Sequence, residues 1–293
     1  MYTKINIYYS DNGVGIVSDN ILIKNLLKDY DVISYIRNKT NDYRNSDIGI
    51  HIQDFDIKLI SNNKINILII NEEWYPTSQL NDINHINYIF VKSSYAKSLL
   101  DSYHKNVICT GFFSLDRYFF PNHTNKFLHF KGKSIQKNTE LVLNNENIKV
   151  LNSEKIYLSE NKVSYELNNH DIHICCSLYE AWGHYLWEAM SCGKLVICSE
   201  IPVFKEYLNP DLVKFVPIQT EHKFIINNRF LNNNLFKFRI GYFVNKSKFD
   251  ELLEDEEYLF EFQKKNSYNI RQHFLDINLR NKNKFLNTIK YII

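Results

Sequence analysis

Two glutamates, Glu180 and Glu188, stand with seven residues between them, on either side of the run Ala-Trp-Gly-His-Tyr-Leu-Trp. The residues around them read as strand Ile172–Cys176, a loop to Trp182, helix Gly183–Cys192 and strand Leu195–Ser199. A loop that ends at a helix start leaves backbone N–H groups unpaired, and the helix dipole adds partial positive charge there. The place suits an anion such as a diphosphate. Gly183 at the junction lets backbone and ligand approach closely. Glu188 lies more than a turn into the helix, where it cannot cap the free N–H groups. Its two oxygens can accept from adjacent hydroxyls, so a sugar or ribose diol is the partner it suits.

A frame of strands and helices must carry these groups. Lys4–Tyr9, Asp31–Ile36, Ile48–Ile52, Ile65–Ile70 and Tyr88–Val91 read as strands, followed by helix Ser93–Tyr103 and strand Asn106–Thr110. After a boundary expected within Ser114–Asn125 comes strand Phe127–Phe130, a helix from about Thr139, and strand Ile148–Leu151. Gly193 falls where a helix C-terminus takes a left-handed residue, just before the next β-rich run. From about Phe249 the tail is helical, with Leu252, Leu253, Tyr258 and Phe262 at helical spacing. Such alternation predicts an α/β chain of parallel β/α units. Ligands of open α/β sheets bind at the carboxyl ends of the strands.

The run Ser177-Leu-Tyr-Glu180-Ala-Trp-Gly183-His-Tyr-Leu-Trp-Glu188-Ala-Met-Ser-Cys-Gly193, then a strand, Pro202 and Glu206, resembles a known donor motif. It is that of retaining glycosyltransferases with the GT-B fold, in particular glycosyltransferase family 4. The resemblance implies that Glu180 contacts the transferred sugar and Glu188 the nucleotide ribose. It places Gly183, His184 and Glu206 in the donor-binding segment; His184 would either meet the donor or cap the helix. Ala181 departs from the usual glycine, and its methyl would crowd the sugar or shift the loop.

Gly132-Lys133-Ser-Ile-Gln-Lys137-Asn-Thr139 resembles the family's diphosphate-binding element, which makes Lys133 and Lys137 the two cations. Asn138 stands where glycine is usual, and Asn tolerates a left-handed backbone well. Asn71-Glu72-Glu73-Trp74-Tyr75, Lys92-Ser93 and Gly111-Phe-Phe-Ser114-Leu-Asp116-Arg117 are similar to elements of a viral and bacterial subgroup that also has Gly-Phe-Gly-His-Tyr. This puts Glu72 and Glu73 on the acceptor and catalytic side. Gly13-Val14-Gly15 is open to two readings, a loop facing the donor phosphates or a plain turn.

The resemblance implies two Rossmann-like domains with parallel sheets facing across a cleft. They would span residues 1–120 on the acceptor side and 121–270 for the nucleotide sugar, with helix 271–293 open to crossing back to the first. It implies a UDP- or GDP-linked donor substrate, no metal and no other cofactor. The acceptor would be a glycan, a protein or a small molecule. The rival readings are a non-catalytic sugar- or nucleotide-binding module and, below it, a nucleotide-sugar epimerase.

A net charge of +2 argues against a nucleic-acid partner and leaves room for weak peripheral membrane contact at most. The absence of an apolar leader or a long apolar stretch predicts no transmembrane segment. The five cysteines, odd in number and without CxxC spacing, read as buried thiols of a reducing, cytoplasmic protein. The ten histidines lack metal-ligand spacing, and His129 reads as a packed strand residue.

Overall fold

A computed structural model describes residues 2–11, 14–40, 42–120, 123–132, 134–152, 158–225 and 240–293. The chain divides into two units: Met1–Phe113 with Ile225–Ile240 and Arg280–Ile293, and Ser114–Phe224 with Gly241–Leu279.

The N-terminal unit holds β1 (Lys4–Tyr9), α1 (Val14–Leu26), β2 (Asp31–Ile36), β3 (Ser46–Ile52) and α2 (Ile57–Ile60). It continues with β4 (Asn63–Ile69), β5 (Tyr88–Val91), α3 (Ser94–Leu100) and β6 (Val107–Cys109). The six strands form one parallel sheet in the order β2-β1-β3-β4-β5-β6. Period-two alternation sends Ile89 and Val91 of β5 into a core with Leu68, Ile70, Ala96 and Leu100. Phe90, on the opposite face, meets Phe285 edge-on at 5.4 Å between ring centroids. Burial on both faces is what a parallel sheet requires.

The second unit holds β7 (Phe127–Lys131), β8 (Ile148–Asn152), α4 (Glu160–Asn168), β9 (Ile172–Cys175) and α5 (His184–Ser191). It adds β10 (Leu195–Ser199), α6 (Pro202–Tyr207), β11 (Lys214–Val216), most of β12 (Ile218–Ile225) and β13 (Ile240–Val244), α7 (Lys246–Leu253) and the start of α8 (Glu256–Ile292). Its five-stranded parallel sheet runs β11-β10-β9-β7-β8, and β12 pairs with β13. The centre is the strand–loop–helix–strand unit from β9 to β10, with every residue of both strands buried. Gly193 closes α5 at φ +70°, as its position predicts.

One expectation changes. In place of a helix from Thr139 there are two 3-10 turns, Ile135–Lys137 and Thr139–Leu141. Asn138 between them has φ +53° and separates the two turns, and after the second the Asn145 side chain accepts from the Asn147 N–H, an alternative to helical bonding. The tail is helical as expected, in two helices, α7 and α8. The longer, α8, buries Leu259, Gln263, Ile270, Phe274, Ile277, Asn281, Phe285 and Ile289 along one stripe at three- and four-residue spacing.

Candidate functional site

In a parallel sheet, chain segments leaving neighbouring strands emerge at the same edge. The loops after β7 and β9 are therefore neighbours, because these two strands pair. A backbone bond from Leu178 N–H to Gln136 C=O, 2.8 Å, ties the loops together. The Ser134 hydroxyl accepts from Gln136 N–H, and the left-handed Asn138 ends the turn. Lys137 is thereby aimed at the β9 loop, where its Nζ lies 2.6 Å from Glu180 Oε1.

The carboxylate is held from its other side as well. Ser177 Oγ donates to the same Oε1 at 2.9 Å. The Ser177 hydroxyl also lies 2.9 Å from the Tyr185 phenol oxygen, and the Lys137 ammonium sits 4.0 Å from the centroid of the Tyr185 ring. Among the described residues both hydrogen bonds to Glu180 fall on Oε1, which leaves Oε2 as an acceptor for a ligand hydroxyl.

The loop then turns into α5 through Gly183 at φ +79°, a left-handed value. A Cβ there would lie 2.9 Å from the Phe204 ring of α6, so both conformation and space demand glycine. No side chain caps α5 at Gly183. His184 places Nδ1 2.8 Å from Ser114 Oγ, which also accepts from the Trp182 indole at 3.0 Å. Trp182 stacks on Trp187 at 4.9 Å, and the Trp187 indole donates to the Trp182 carbonyl. These bonds fix the loop that presents the helix start. Ala181 is 2% exposed, so its methyl is covered by the protein.

Glu188, one turn further on, faces Arg117, with Nε and Oε2 3.3 Å apart. Burial pushes its carboxyl above the usual range, and the Arg117 guanidinium pulls against that rise. Arg117 also pairs with Glu160, and its neighbour Asp116 accepts both guanidinium nitrogens of Arg271 at 2.8 Å. The sequence marks Asp116 and Arg117 only as letters of a motif. That Arg117 partners Glu188 is decided by a contact 71 positions apart in the chain, for which spacing carries no signal.

The structure thus brings Lys137, Glu180, Gly183 and His184 to one edge of one sheet, with Glu188 just inside the following helix. Glu206 is exposed on α6, the helix that supplies Phe204. Glu72 and Glu73 belong to the other unit, buried in a 3-10 turn just past β4. Gly15 is in the first turn of α1, exposed, and a Cβ added there would meet nothing within 4 Å. Lys133 and Gly13 lie outside the described residues. His129 is a packed strand residue: burial lowers it to about 4, so it is neutral, donating from Nδ1 to the Ile174 carbonyl and accepting from Thr139 at Nε2. All five cysteines are free, and burial pushes the Cys192 thiol up to about 12. Among the described residues no three His, Cys, Asp or Glu side chains gather as metal ligands, and no helix is long and apolar enough to cross a membrane.

A cation, a carboxylate with an available oxygen and an uncapped helix start make an arrangement that can hold a phosphate and a hydroxyl-bearing ring side by side. Residues 121–226 match the family described as glycosyl transferases group 1. No curated protein matches the chain in sequence. Among solved structures, a sucrose-phosphate synthase from Thermosynechococcus elongatus is similar over 99% of this chain and 100% of its own, with TM-score 0.63 and 9% identity. Anabaena HepE, solved with UDP and glucose, covers 99% and 100% with TM-score 0.61 and 10% identity. A lipopolysaccharide outer core galactosyltransferase covers 99% and 100% with TM-score 0.57 and 12% identity. The chain therefore has the α/β fold of GT-B glycosyltransferases, with two parallel-sheet units, and its residues 121–226 carry the group 1 glycosyl transferase signature.

Proposed function

We propose that the chain is a glycosyltransferase that moves a sugar from a UDP- or GDP-linked donor to an acceptor hydroxyl, with retention of configuration. The observation that carries this reading is the meeting of Lys137 and Glu180, from loops 43 positions apart, beside the start of α5. The donor diphosphate rests against the α5 N–H groups and Lys137, with Lys133 as the second cation. Glu180 Oε2 accepts from a hydroxyl of the transferred sugar. Glu188, with one oxygen toward Arg117, takes the ribose diol on the other.

As the glycosidic bond breaks, its electron pair stays with the leaving phosphate. Fixed ammonium and N–H groups stabilise that charge, and losing one such donor costs about 3 kcal/mol of barrier. In this reading they do what a metal would otherwise do. The acceptor oxygen forms its new bond on the face the nucleotide leaves, and its proton passes to the departing phosphate. Glu72 and Glu73 are assigned to the acceptor side, and Gly15 and Glu206 to the rim of the donor site. HepE, solved with UDP and glucose, supports the donor class. Buried free thiols fit a reducing compartment such as the cytoplasm.

The test is incubation with UDP-, GDP- and dTDP-hexoses, following free nucleotide and donor hydrolysis. Turnover by the native chain and its loss in Glu188→Ala and Lys137→Ala, with the fold retained, is the expected result. Full activity in both variants overturns the assignment. Nucleotide binding without turnover would mark a binding module, and an altered sugar still attached to its nucleotide an epimerase.

A further inference from the structure

Tyr185 touches Lys137 directly and reaches its partner Glu180 through Ser177. Its ring lies under the Lys137 ammonium at 4.0 Å, and its phenol oxygen is 2.9 Å from Ser177 Oγ. The direction of the second bond follows from proton counting. Glu180 is a carboxylate beside an ammonium and can only accept, so the single Ser177 hydroxyl proton goes to Oε1. The Tyr185 O–H must then donate to Ser177 Oγ. Burial pushes this phenol well above its ordinary range, so it remains a donor throughout the working pH range. The Ser177 backbone is itself pinned, because its carbonyl accepts from the Ser199 hydroxyl of strand β10.

The relay therefore runs Tyr185 O–H to Ser177 O–H to Glu180 Oε1, while the ring face of the same tyrosine supports the cation. We infer that Tyr185 is a positioning residue of the donor site, with its hydroxyl aligning Glu180 through Ser177 and its ring aligning Lys137. The two functions are separable: the hydroxyl governs the carboxylate proposed to meet the sugar, and the ring governs the cation proposed to meet the diphosphate. This rests on the transferase reading above and adds to it two residues, Tyr185 and Ser177. It also accounts for why both bonds fall on one oxygen of Glu180, since pinning Oε1 turns Oε2 outward in a fixed direction.

The test is a split between chemistry and binding, using whichever hexose donor of the panel the native chain turns over. Tyr185→Phe keeps the ring and removes the hydroxyl; kcat should fall up to about tenfold, the size of one lost hydrogen bond between neutral groups, with donor KM and nucleotide diphosphate affinity unchanged. Ser177→Ala also removes the bond to the carboxylate and should lose at least as much. The double variant Tyr185→Phe/Ser177→Ala should lose no more than Ser177→Ala alone, because both cut the same relay. Tyr185→Leu should in addition weaken nucleotide diphosphate binding about fivefold, as expected for a lost cation–π contact. A purely structural role would lower Tm and shift kcat and KM together. Native kcat in Tyr185→Phe, or additive losses in the double variant, would overturn the inference while native turnover leaves the transferase reading standing. A native chain that neither binds nor turns over any donor of the panel overturns both.

Discussion

Lys92 and Lys137 each follow a strand of a parallel sheet, β5 in the N-terminal unit and β7 in the second, and each meets a carboxylate. Lys92 lies 2.8 Å from Asp19, and Lys137 lies 2.6 Å from Glu180. Each also has an aromatic ring about its ammonium, Phe112 at 3.9 Å and Tyr185 at 4.0 Å. The difference is access. The side chains of Lys92 and Asp19 are 3% and 2% exposed, whereas Lys137 and Glu180 keep 20% and 7%. A sealed pair spends its charge on itself and holds two segments together. A pair that keeps contact with water can offer its remaining N–H groups and oxygen to a ligand. Burial, more than the identity of the partners, separates a structural lysine from one fit for binding.

The sharpest way to break this comparison is to truncate both lysines. Lys92→Ala removes one partner of a buried ion pair and should cost about 3–5 kcal/mol, lowering Tm by on the order of 10 °C in a thermal melt. Lys137→Ala should leave Tm within about 2 °C, since a partly exposed pair contributes little, yet slow donor turnover on the order of 100-fold. The reverse pattern would exchange the two roles.

Two glycines extend the contrast between the units. Gly183 is left-handed and crowded by Phe204, while Gly15 is helical with open space around it. Gly183→Ala should destabilise by about 2 kcal/mol, combining a left-handed backbone penalty with the clash. Gly15→Ala should be neutral or stabilise by about 0.5 kcal/mol. Urea titration of the two variants measures both. Equal costs would show that the loop at Gly15 is as constrained as the one at Gly183.

The last comparison concerns acid. Burial holds His129 and His51 at about 4 and His173 at about 3, with His170 also lowered. These groups are neutral when folded and take up protons near 6.5 when unfolded. The unfolded state therefore binds more protons between about 6.5 and 4, and stability falls as pH drops through that window, by roughly 1 kcal/mol per pH unit for each histidine. His129, His170 and His173 are in the second unit and His51 in the first. Burial raises the Asp54 carboxyl in the first unit and the Glu188 carboxyl in the second, which acts in the opposite sense. Hydrogen exchange at about pH 7 and about pH 5.5 should show the second unit losing protection first. Equal loss in both units would remove this distinction.

Much of the fold was legible because it is written locally. Strands β1, β2, β5 and β10 have the bounds that their β-rich runs predict, and β9 differs by one residue. Asn138 adopts the left-handed backbone that its type suggests. The helix expected from Thr139 stops after one 3-10 turn, where the Asn-rich segment that follows makes its own side-chain turn at Asn145. The short strand β11 and the paired β12 and β13 were not foreseen, since three to eight residues of mixed polarity carry too little periodicity to separate a strand from a loop.

The sequence by itself determined the strand–loop–helix–strand unit, the glycines at its two turns, and the carboxylates and lysine that could do chemistry. Each of these depends on φ, ψ and side-chain type within a few neighbouring residues. Only the tertiary structure decided that Lys137 meets Glu180, that Arg117 meets Glu188 and that Tyr185 lies under Lys137 and against Ser177. Two of these contacts join residues 43 and 71 positions apart, and they exist because parallel pairing of β7 with β9 and the packing of α5 bring separate loops to one edge. No local pattern encodes which side chain will stand across that edge, because the order of the strands is set by the burial of the whole sheet.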